Sequence, residues 1–343
     1  MKKQTFQHFA VTSALLGLLL SASLSQTQGK FPSRPMSHHP SSATSPTLVQ
    51  QAQPAGSSYT YTLLDFPGTF YTFPEALNVD SSSSKVEIVG GYGQGAYLTT
   101  DSFLVHVTES KKGITTESYQ TVNFPSVPLQ SADGVNKGGQ IVGQYVDTSG
   151  VFHGWELSGG TFTTIDVPFS GATGTFLGGI NDSGEIVGGW DQSGAPQNQH
   201  GFTLISGTYT SFDYPGALQT VAFAVNNKGD IVGYWVDTSG EEHGFLLSGG
   251  TYTSIDPPGS IWTYASGIND AGDIVGGFCT TVACYDSDGY NGGQGFLLSK
   301  GTYTMFTIPG ESGTGLSAIN DKGWILGSYD DAAGFVYGFI AVP

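Results

Sequence analysis

Basic residues are scarce in this chain, and arginine is almost absent. The sequence has 28 acidic residues against 11 basic ones, for a formal net charge of −17 at pH 7. Its single arginine, Arg34, lies near the N-terminus with Lys2, Lys3 and Lys30, and residues 59–343 contain none. Polyanions are bound by lysine and arginine with release of counterions, so nucleic acid is excluded as a partner and anionic membranes are disfavoured. Arginine-dependent recognition of carboxylates, as in sialidase-like chemistry, is excluded as well.

Cysteine is also rare. The two cysteines, Cys279 and Cys284, lie close together in one segment. In an exported protein such a pair predicts a disulfide, and no neighbouring histidine is present to complete a structural zinc site. A loop this short gains little from closure, so we expect the bridge mainly to shape its own segment.

One apolar run stands out, and it is short. It extends from Phe9 to Leu20, after Met1-Lys2-Lys3 and before the small residues of 21–25. This order predicts a secretory signal peptide over residues 1–25, and the run is too short for a membrane anchor. We therefore expect no membrane insertion and a secreted bacterial protein, extracellular or periplasmic. Residues 26–58, rich in Ser, Pro, Thr and Gln, predict a disordered linker before a folded domain at 59–343.

Catalytic signatures are missing too. The sequence contains no Gly-x-Ser-x-Gly elbow, no His-Glu-x-x-His and no Gly-x-x-x-x-Gly-Lys phosphate loop. The glycine cluster of residues 90–95 precedes no helical pattern, so it does not form a dinucleotide site. Cofactors are therefore not expected, and whether the chain is an enzyme stays open.

What the sequence does contain is a repeat built on Ile-Asn-Asp-x-Gly-x-Ile-Val-Gly. The repeat occurs six times, with intervals of 58, 45, 45, 43 and 51 residues between its asparagines. Each copy divides into four short stretches of alternating β-branched or aromatic and polar residues, which is the length of one propeller blade. The motif asparagines are Asn78, Asn136, Asn181, Asn226, Asn269 and Asn320.

The two ends of the repeat region complement each other. The last copy stops at Pro343 without a fourth strand, and residues 59–64 form a strand pattern that precedes the first copy. The sequence therefore predicts an all-β fold, a β-propeller of six four-stranded blades in which the N-terminal strand completes the last blade. Closure of this kind protects sheet edges. A β-solenoid is the alternative, but it leaves the missing and extra strands unexplained.

The full pattern resembles the HAF-type extracellular repeat family of bacteria. It runs Pro-Gly-x-x-x-Thr, Gly-Ile-Asn-Asp-x-Gly-x-Ile-Val-Gly, His-Gly-Phe and Gly-Thr-Tyr-Thr-x-Ile-Asp, and covers residues 59–343. The resemblance implies an exported repeat protein and supplies no catalytic residues. The family tripeptide has Gly in place of its central Ala here, and the last copies depart further. The copies read His153-Gly154-Trp155, His200-Gly201-Phe202, His243-Gly244-Phe245, Gln294-Gly295-Phe296 and Tyr337-Gly338-Phe339.

Residues that recur in many copies are expected to be structural. The three histidines occupy one strand position in three blades, too far apart to converge on a metal, so each should make a structural hydrogen bond. The Asn-Asp-x-Gly segments lack the ligand spacing of a calcium loop and should be tight turns. The aspartates near the prolines should also form turns. They are Asp65, Asp166, Asp213 and Asp256.

Residues peculiar to one copy are the candidates for function. The threonine six positions before the motif asparagine is flanked by aromatics in the first and fifth copies and by glycines in the sixth. The fifth copy also carries a long insertion between Cys279 and Gly293. All three irregularities fall on one face of the predicted propeller, where aromatic walls and carboxylates suit a sugar ring. The candidate ligand-binding residues are Tyr71, Phe73, Trp262, Tyr264, Tyr285, Asp286 and Asp288.

Ordinary loop variation is the competing interpretation of this face, and calcium bound by Asp286 and Asp288 is a third. The sequence favours a secreted binding or scaffold module for neutral glycan or another cell-surface polymer. A glycan-active hydrolase or lyase using acids of this face is an alternative, as is a structural envelope or matrix protein without a small ligand. The sequence leaves the oligomeric state open.

Overall fold

The structure is a computed structural model of the chain. It describes residues 59–79, 85–93, 100–110, 113–193, 198–281, 284, 293–308, 311, 313–331 and 335–343. The predicted signal peptide, 1–25, and linker, 26–58, lie outside the described residues. Within the described ranges there is no helix with the length and apolar character needed to cross a membrane.

The first and last parts of the domain share one sheet. It has nine strands in the order β23-β24-β25-β2-β3-β4-β5, with β1 paired to β25 and β6 paired to β4. These strands are β1 (Thr60–Leu64), β2 (Tyr71–Val79), β3 (Lys85–Gly93), β4 (Thr100–Ser110), β5 (Gly113–Thr116), β6 (Gln120–Thr121), β23 (Gly313–Ile319), β24 (Ile325–Asp330) and β25 (Val336–Val342).

The middle of the domain forms four separate antiparallel sheets of four strands each. The first contains β7 (Leu129–Val135), β8 (Ile141–Val146), β9 (Phe152–Ser158) and β10 (Thr161–Ile165), and the second contains β11 (Ala172–Ile180), β12 (Ile186–Gln192), β13 (Gln199–Ile205) and β14 (Thr208–Phe212). The third contains β15 (Gln219–Val225), β16 (Ile231–Val236), β17 (Glu242–Ser248) and β18 (Thr251–Ile255). The fourth contains β19 (Trp262–Ile268), β20 (Ile274–Cys279), β21 (Gln294–Ser299) and β22 (Thr302–Phe306).

The two ends of the domain pair as the sequence predicts. Strand β1 lies antiparallel to β25, in a register that runs from Thr60 opposite Val342 to Leu64 opposite Gly338. Strand β2 contacts the other end of β25 through a single parallel pair, Tyr71 with Val336. The N-terminal strand therefore covers an edge that the last copy of the repeat leaves open.

The first strand of each repeat, which we call the inner strand, lies closest to the axis of the fold. Each inner strand contacts the next one along the chain, and the last contacts the first, so they form a closed cycle around that axis. With four-stranded antiparallel sheets arranged about it, the fold is an all-β propeller. The inner strands are β2, β7, β11, β15, β19 and β23.

The core explains why glycine and an aromatic recur in the repeat. The aromatic ring at the last position of the His-Gly-Phe motif is fully buried, and it packs over the glycine of Ile-Val-Gly on the neighbouring strand. At Gly233, for example, an added Cβ would lie 2.9 Å from the Phe245 ring and would overlap the backbone carbonyl of Val221. Burying such a ring contributes about 1.5–3 kcal/mol. The rings are Phe103, Trp155, Phe202, Phe245, Phe296 and Phe339.

Candidate functional site

The motif asparagines join neighbouring repeats at one end of the propeller. In Asn226, Oδ1 accepts hydrogen bonds from the backbone N–H groups of Lys228 and Asp230, which closes the turn. Its Nδ2 donates to the backbone carbonyl of Asn269 in the next repeat at 3.1 Å. The same donor bond runs from Asn78 to Asn136, Asn136 to Asn181, Asn181 to Asn226, and Asn269 to Asn320. We call this series the asparagine chain.

In four of the repeats, the residue after the motif asparagine adds a second series of bonds, of which Lys137 N–H to Asp182 is the first. The backbone N–H of Asp182 donates to Oδ1 of Asn227, and that of Asn227 donates to Oδ1 of Asp270. Asp270 donates in the same way to Asp321. The turns predicted at Asn-Asp-x-Gly are present, closed by bonds such as Gly229 N–H to Asn226 carbonyl at 3.1 Å. In these four turns the second residue therefore also fastens one repeat to the next.

The repeated histidines make the structural hydrogen bonds that the sequence predicts. Nδ1 of His200 lies 2.8 Å from Oδ1 of Asp213, and the ring stacks on Trp190 with centroids 4.6 Å apart. His153 contacts Asp166, and His243 contacts Asp256, in the same way. Asp166, Asp213 and Asp256 were expected only to form turns. Each also orients a histidine of its own sheet.

The repeated threonine six residues before the motif asparagine holds the connection from the preceding repeat. In Thr220, Oγ1 accepts the backbone N–H of Tyr214 at 2.9 Å, and Thr314 accepts that of Ile308 at 3.0 Å. Thr263 differs, because the corresponding donor position is Pro257, which has no N–H. Its buried hydroxyl oxygen has no hydrogen-bond partner in the described part of the chain.

Two of the aromatics predicted to bind ligand are buried. Trp262 is 4% exposed and Tyr264 is 2% exposed, and both pack with Cys279 and Cys284. The predicted disulfide between these cysteines is confirmed. Both rings belong to the core, so they do not form the exposed aromatic wall that the sequence predicts for this face.

The other two predicted aromatics, Tyr71 and Phe73, are half-buried on β2. Their rings are close to parallel, at an interplanar angle of 9° and a centroid separation of 6.4 Å. Phe73 lies opposite Gly91, where an added Cβ would meet no atom closer than 3.8 Å. In the equivalent pair on β11 and β12, the Phe176 ring covers Gly189. Phe73 therefore does not lie over its glycine and stays beside Tyr71.

More aromatics lie nearby, on β25 and at the residue before it. Phe70 and Phe335 stack at 5.2 Å with an interplanar angle of 12°. The pairing of Tyr71 with Val336 places β2 beside the chain segment that carries Phe335 and Tyr337. All of these rings are half-buried. Sequence analysis missed Phe335 and Tyr337, although Tyr337 replaces the repeated histidine and was therefore a visible exception.

Carboxyl groups lie beside these rings. The Tyr337 hydroxyl donates to Oδ2 of Asp331 at 3.3 Å. Burial, and then the charge of Asp331, raise the pKa of Tyr337 to about 12. Burial and Asp331 also raise the pKa of Glu311. We call this set the β2–β25 face: Phe70, Tyr71, Phe73, Phe335 and Tyr337, with Glu311 and Asp331.

The remaining predicted residues, Tyr285, Asp286 and Asp288, lie outside the described residues. Ligand binding by them, and calcium binding by the two aspartates, stay predictions. Among the described residues, one group of three side chains has ligand atoms close enough for a metal ion, and it consists of Asp237, Glu241 and His243. Asp237 already accepts hydrogen bonds from the backbone N–H groups of Ser239 and Glu241.

A second candidate site lies on the axis. Every inner strand has a β-bulge three residues before its motif asparagine, where the register with the second strand shifts. The bulged residues line an axial cavity of about 110 Å³. This position varies among the six repeats. It is occupied by Glu75, Asp133, Gly178, Phe223, Ser266 and Ser317.

Two buried carboxyl groups have strongly raised pKa values. Burial raises the pKa of Asp133 in the axial cavity to about 8, and a hydrogen bond from Ser131 opposes part of the rise. Burial also raises the pKa of Glu242, at the start of β17, to about 8, and the indole of Trp262 opposes part of that rise. Both groups therefore favour the neutral form in the folded protein at neutral pH.

The sequence matches no protein-family model and no curated protein. Among solved structures, a protein of unknown function from Dyadobacter fermentans DSM 18053 is 12% identical with a TM-score of 0.54, over 82% of this chain and 97% of that chain. The β-propeller domain of the Trilobed protease from Pyrococcus furiosus is 9% identical, with a TM-score of 0.44, over 80% and 94% of the two chains. A six-bladed fucose-recognising lectin from Aleuria aurantia is 10% identical, with a TM-score of 0.45, over 78% and 94%. The first of these shows a shared fold alone.

Proposed function

We propose that this chain is an exported six-bladed propeller that binds a neutral glycan or another cell-surface polymer at the β2–β25 face. The observation that carries the proposal is the group of half-buried aromatic rings gathered there from β2 and β25, beside the carboxyl groups of Glu311 and Asp331. Aromatic rings left partly open to solvent next to hydrogen-bond acceptors are a typical binding surface for sugars.

The blade count rests on how the nine-stranded sheet divides. Strands β23, β24, β25 and β1 form one four-stranded group, and β2 to β5 form another, with one parallel residue pair between them. Counted as two blades beside the four separate sheets, they make six. The N-terminal sequence pattern supports export, and the repeat pattern supports membership of the HAF-type extracellular family.

The chemistry of the face supports a sugar as the bound unit. A pyranose ring presents C–H groups that stack on aromatic faces and hydroxyl groups that donate to carboxylates. Tyr71 and Phe335 offer half-buried rings, and Asp331 offers a carboxylate beside them. Because residues 59–343 contain no arginine, a neutral polymer suits this face better than an anionic one.

The test incubates the purified full chain with soluble and insoluble polysaccharides, neutral and acidic, and measures both depletion of protein and release of sugar. We expect depletion by a neutral polymer without release. Tyr71→Ala and Phe335→Ala should abolish depletion, whereas Tyr209→Ala, a half-buried tyrosine on β14, should not. Trp262 is too deeply buried for its truncation to report on surface binding alone.

The other outcomes separate the alternatives. Release of sugar, lost in Asp331→Asn, would replace the binding module with a glycan-active enzyme. Depletion that persists in both aromatic variants would move the site away from this face. No depletion by any polymer, together with self-assembly in solution, would favour a structural envelope or matrix protein.

A further inference from the structure

The polar bulged residues are not scattered around the axis. Ser266, Ser317, Glu75 and Asp133 belong to β19, β23, β2 and β7, which are consecutive in the cycle of inner strands. The remaining two positions, Gly178 and Phe223, complete the cycle on the other side. The axial cavity therefore has an oxygen-bearing side and an apolar side.

Asp133 is the deeply buried acid of this cavity and has an unused oxygen. Only 6% of the residue is exposed. Oδ2 accepts the hydroxyl of Ser131 at 3.1 Å, whereas Oδ1 has no hydrogen-bond partner in the described part of the chain. Leaving a buried acceptor without a partner is unfavourable, so a ligand that occupies Oδ1 is favoured.

The two serines hold their oxygens ready for a cation. Ser266 Oγ donates to the backbone carbonyl of Leu316 at 2.6 Å, and Ser317 Oγ donates to that of Pro74 at 2.5 Å. A hydroxyl has one hydrogen, so with that hydrogen given to a carbonyl each oxygen can offer only lone pairs to the cavity. Together with the carboxyl groups of Glu75 and Asp133, the described lining provides oxygen ligands and no nitrogen or sulfur side chain.

We propose that the axial cavity binds one Ca²⁺ ion through Asp133 and Glu75, with Ser266, Ser317 and water completing its coordination. Calcium takes six to eight oxygen ligands in flexible geometry, whereas Mg²⁺ demands a tighter octahedron. The cavity of about 110 Å³ has room for water molecules beside the ion. Because its ligands come from several inner strands, the ion would also join repeats across the axis.

The test is calorimetric titration of CaCl₂ into the full chain after treatment with chelator. We expect one ion per chain and a rise in melting temperature with calcium concentration, because the ion binds the folded state. Asp133→Asn and Glu75→Gln should each weaken binding roughly tenfold or more, as removal of a charged ligand requires. Asp237→Asn, in the group that Asp237 forms with Glu241 and His243, is the matched control and should leave binding unchanged.

Circular dichroism of each variant without calcium keeps the result interpretable. The neutral amides resemble the carboxyls in shape, so both variants should fold. If Asp133→Asn does not fold, the calcium titration of Glu75→Gln tests the proposal instead. Absence of heat with wild-type protein would overturn the proposal. So would binding that is lost in Asp237→Asn but kept in the two cavity variants, or binding of MgCl₂ as tight as that of CaCl₂.

Discussion

Asn226 donates a hydrogen bond from Nδ2 to the backbone carbonyl of Asn269, 43 residues further along the chain, at 3.1 Å. The same side chain accepts two backbone N–H groups of its own turn. One residue thus closes a turn and attaches it to the next repeat.

The first prediction concerns this double role. Asn226→Ala should lower the free energy of unfolding by roughly 3 kcal/mol, because it removes the bond to the next repeat and leaves buried backbone groups without partners. Asn320 accepts from Lys322 and Trp324 in the same way, but its Nδ2 has no partner in the described residues. Asn320→Ala should therefore cost about 1 kcal/mol less in urea unfolding. Equal losses would show that the bond between repeats contributes nothing.

The second prediction concerns the threonines that hold the connections. Thr220→Val removes the acceptor of the Tyr214 N–H, in a part-buried bond, and should cost about 1–3 kcal/mol. Thr263→Val removes an oxygen with no partner in the described residues and should be neutral or stabilising. Thermal melting of the two variants side by side tests this difference. A larger loss in Thr263→Val would contradict the explanation based on Pro257.

The third prediction concerns the glycines opposite the inner-strand rings. Gly189→Ala should destabilise by about 1–3 kcal/mol, because the added methyl group overlaps the Phe176 ring. Gly91→Ala should cost far less, since the same position opposite Phe73 is open. Adding Phe176→Leu to Gly189→Ala should recover part of the loss, as a double-mutant cycle would show. Additive effects would mean that the two residues do not compete for space.

The fourth prediction concerns pH. The pKa of Glu242 is raised from 4.5 to about 8, so the folded state holds a proton that the unfolded state releases. Stability from this group is complete below pH 4.5 and is lost as pH rises towards about 8, by about 1.4 kcal/mol per unit of pKa difference as an upper bound. Glu242→Gln cannot ionise at this position, so it should lose less stability than the wild type as the pH rises. It should be the more stable of the two proteins at pH 8.

Urea unfolding between about pH 5 and pH 9 measures this effect. Glu241→Gln changes the exposed neighbour and keeps Glu242, so it should retain the pH dependence of the wild type. The raised pKa of Asp133 also lowers stability as the pH rises, but it does so equally in the wild type and in the Glu242 variant, so their difference reports on Glu242. A wild-type protein that gains stability over this range would contradict the assignment.

Much of the fold could be predicted because every repeat restates the same strand pattern. The pairing of β1 with β25 follows from one missing strand and one extra strand. A structural hydrogen bond such as that between His200 and Asp213 follows because the histidine recurs at one strand position in separate blades, too far apart to share a metal. The disulfide follows from two close cysteines in a chain whose N-terminal pattern predicts export.

The sites were harder to predict because their neighbours come from different repeats. Burial of Trp262 depends on side chains of β16 and on the disulfide, which the local sequence does not reveal. Phe335 stacks on Phe70 where β2 pairs with Val336, a pairing between the two ends of the domain. The bulges could not be predicted because a register shift has no sequence signature of its own. The sequence does show that one repeat position varies from Glu75 to Phe223.

The bulges have a consequence for how such a protein can change. A bulged residue takes no part in the ladder, and the asparagine that fastens its strand stands three residues away. Substitution there alters the lining of the axis without loosening the joints between repeats. The six bulged positions can therefore diverge independently while the scaffold stays the same. A chain of similar repeats thereby acquires an asymmetric centre, acidic on one side and closed by Phe223 on the other.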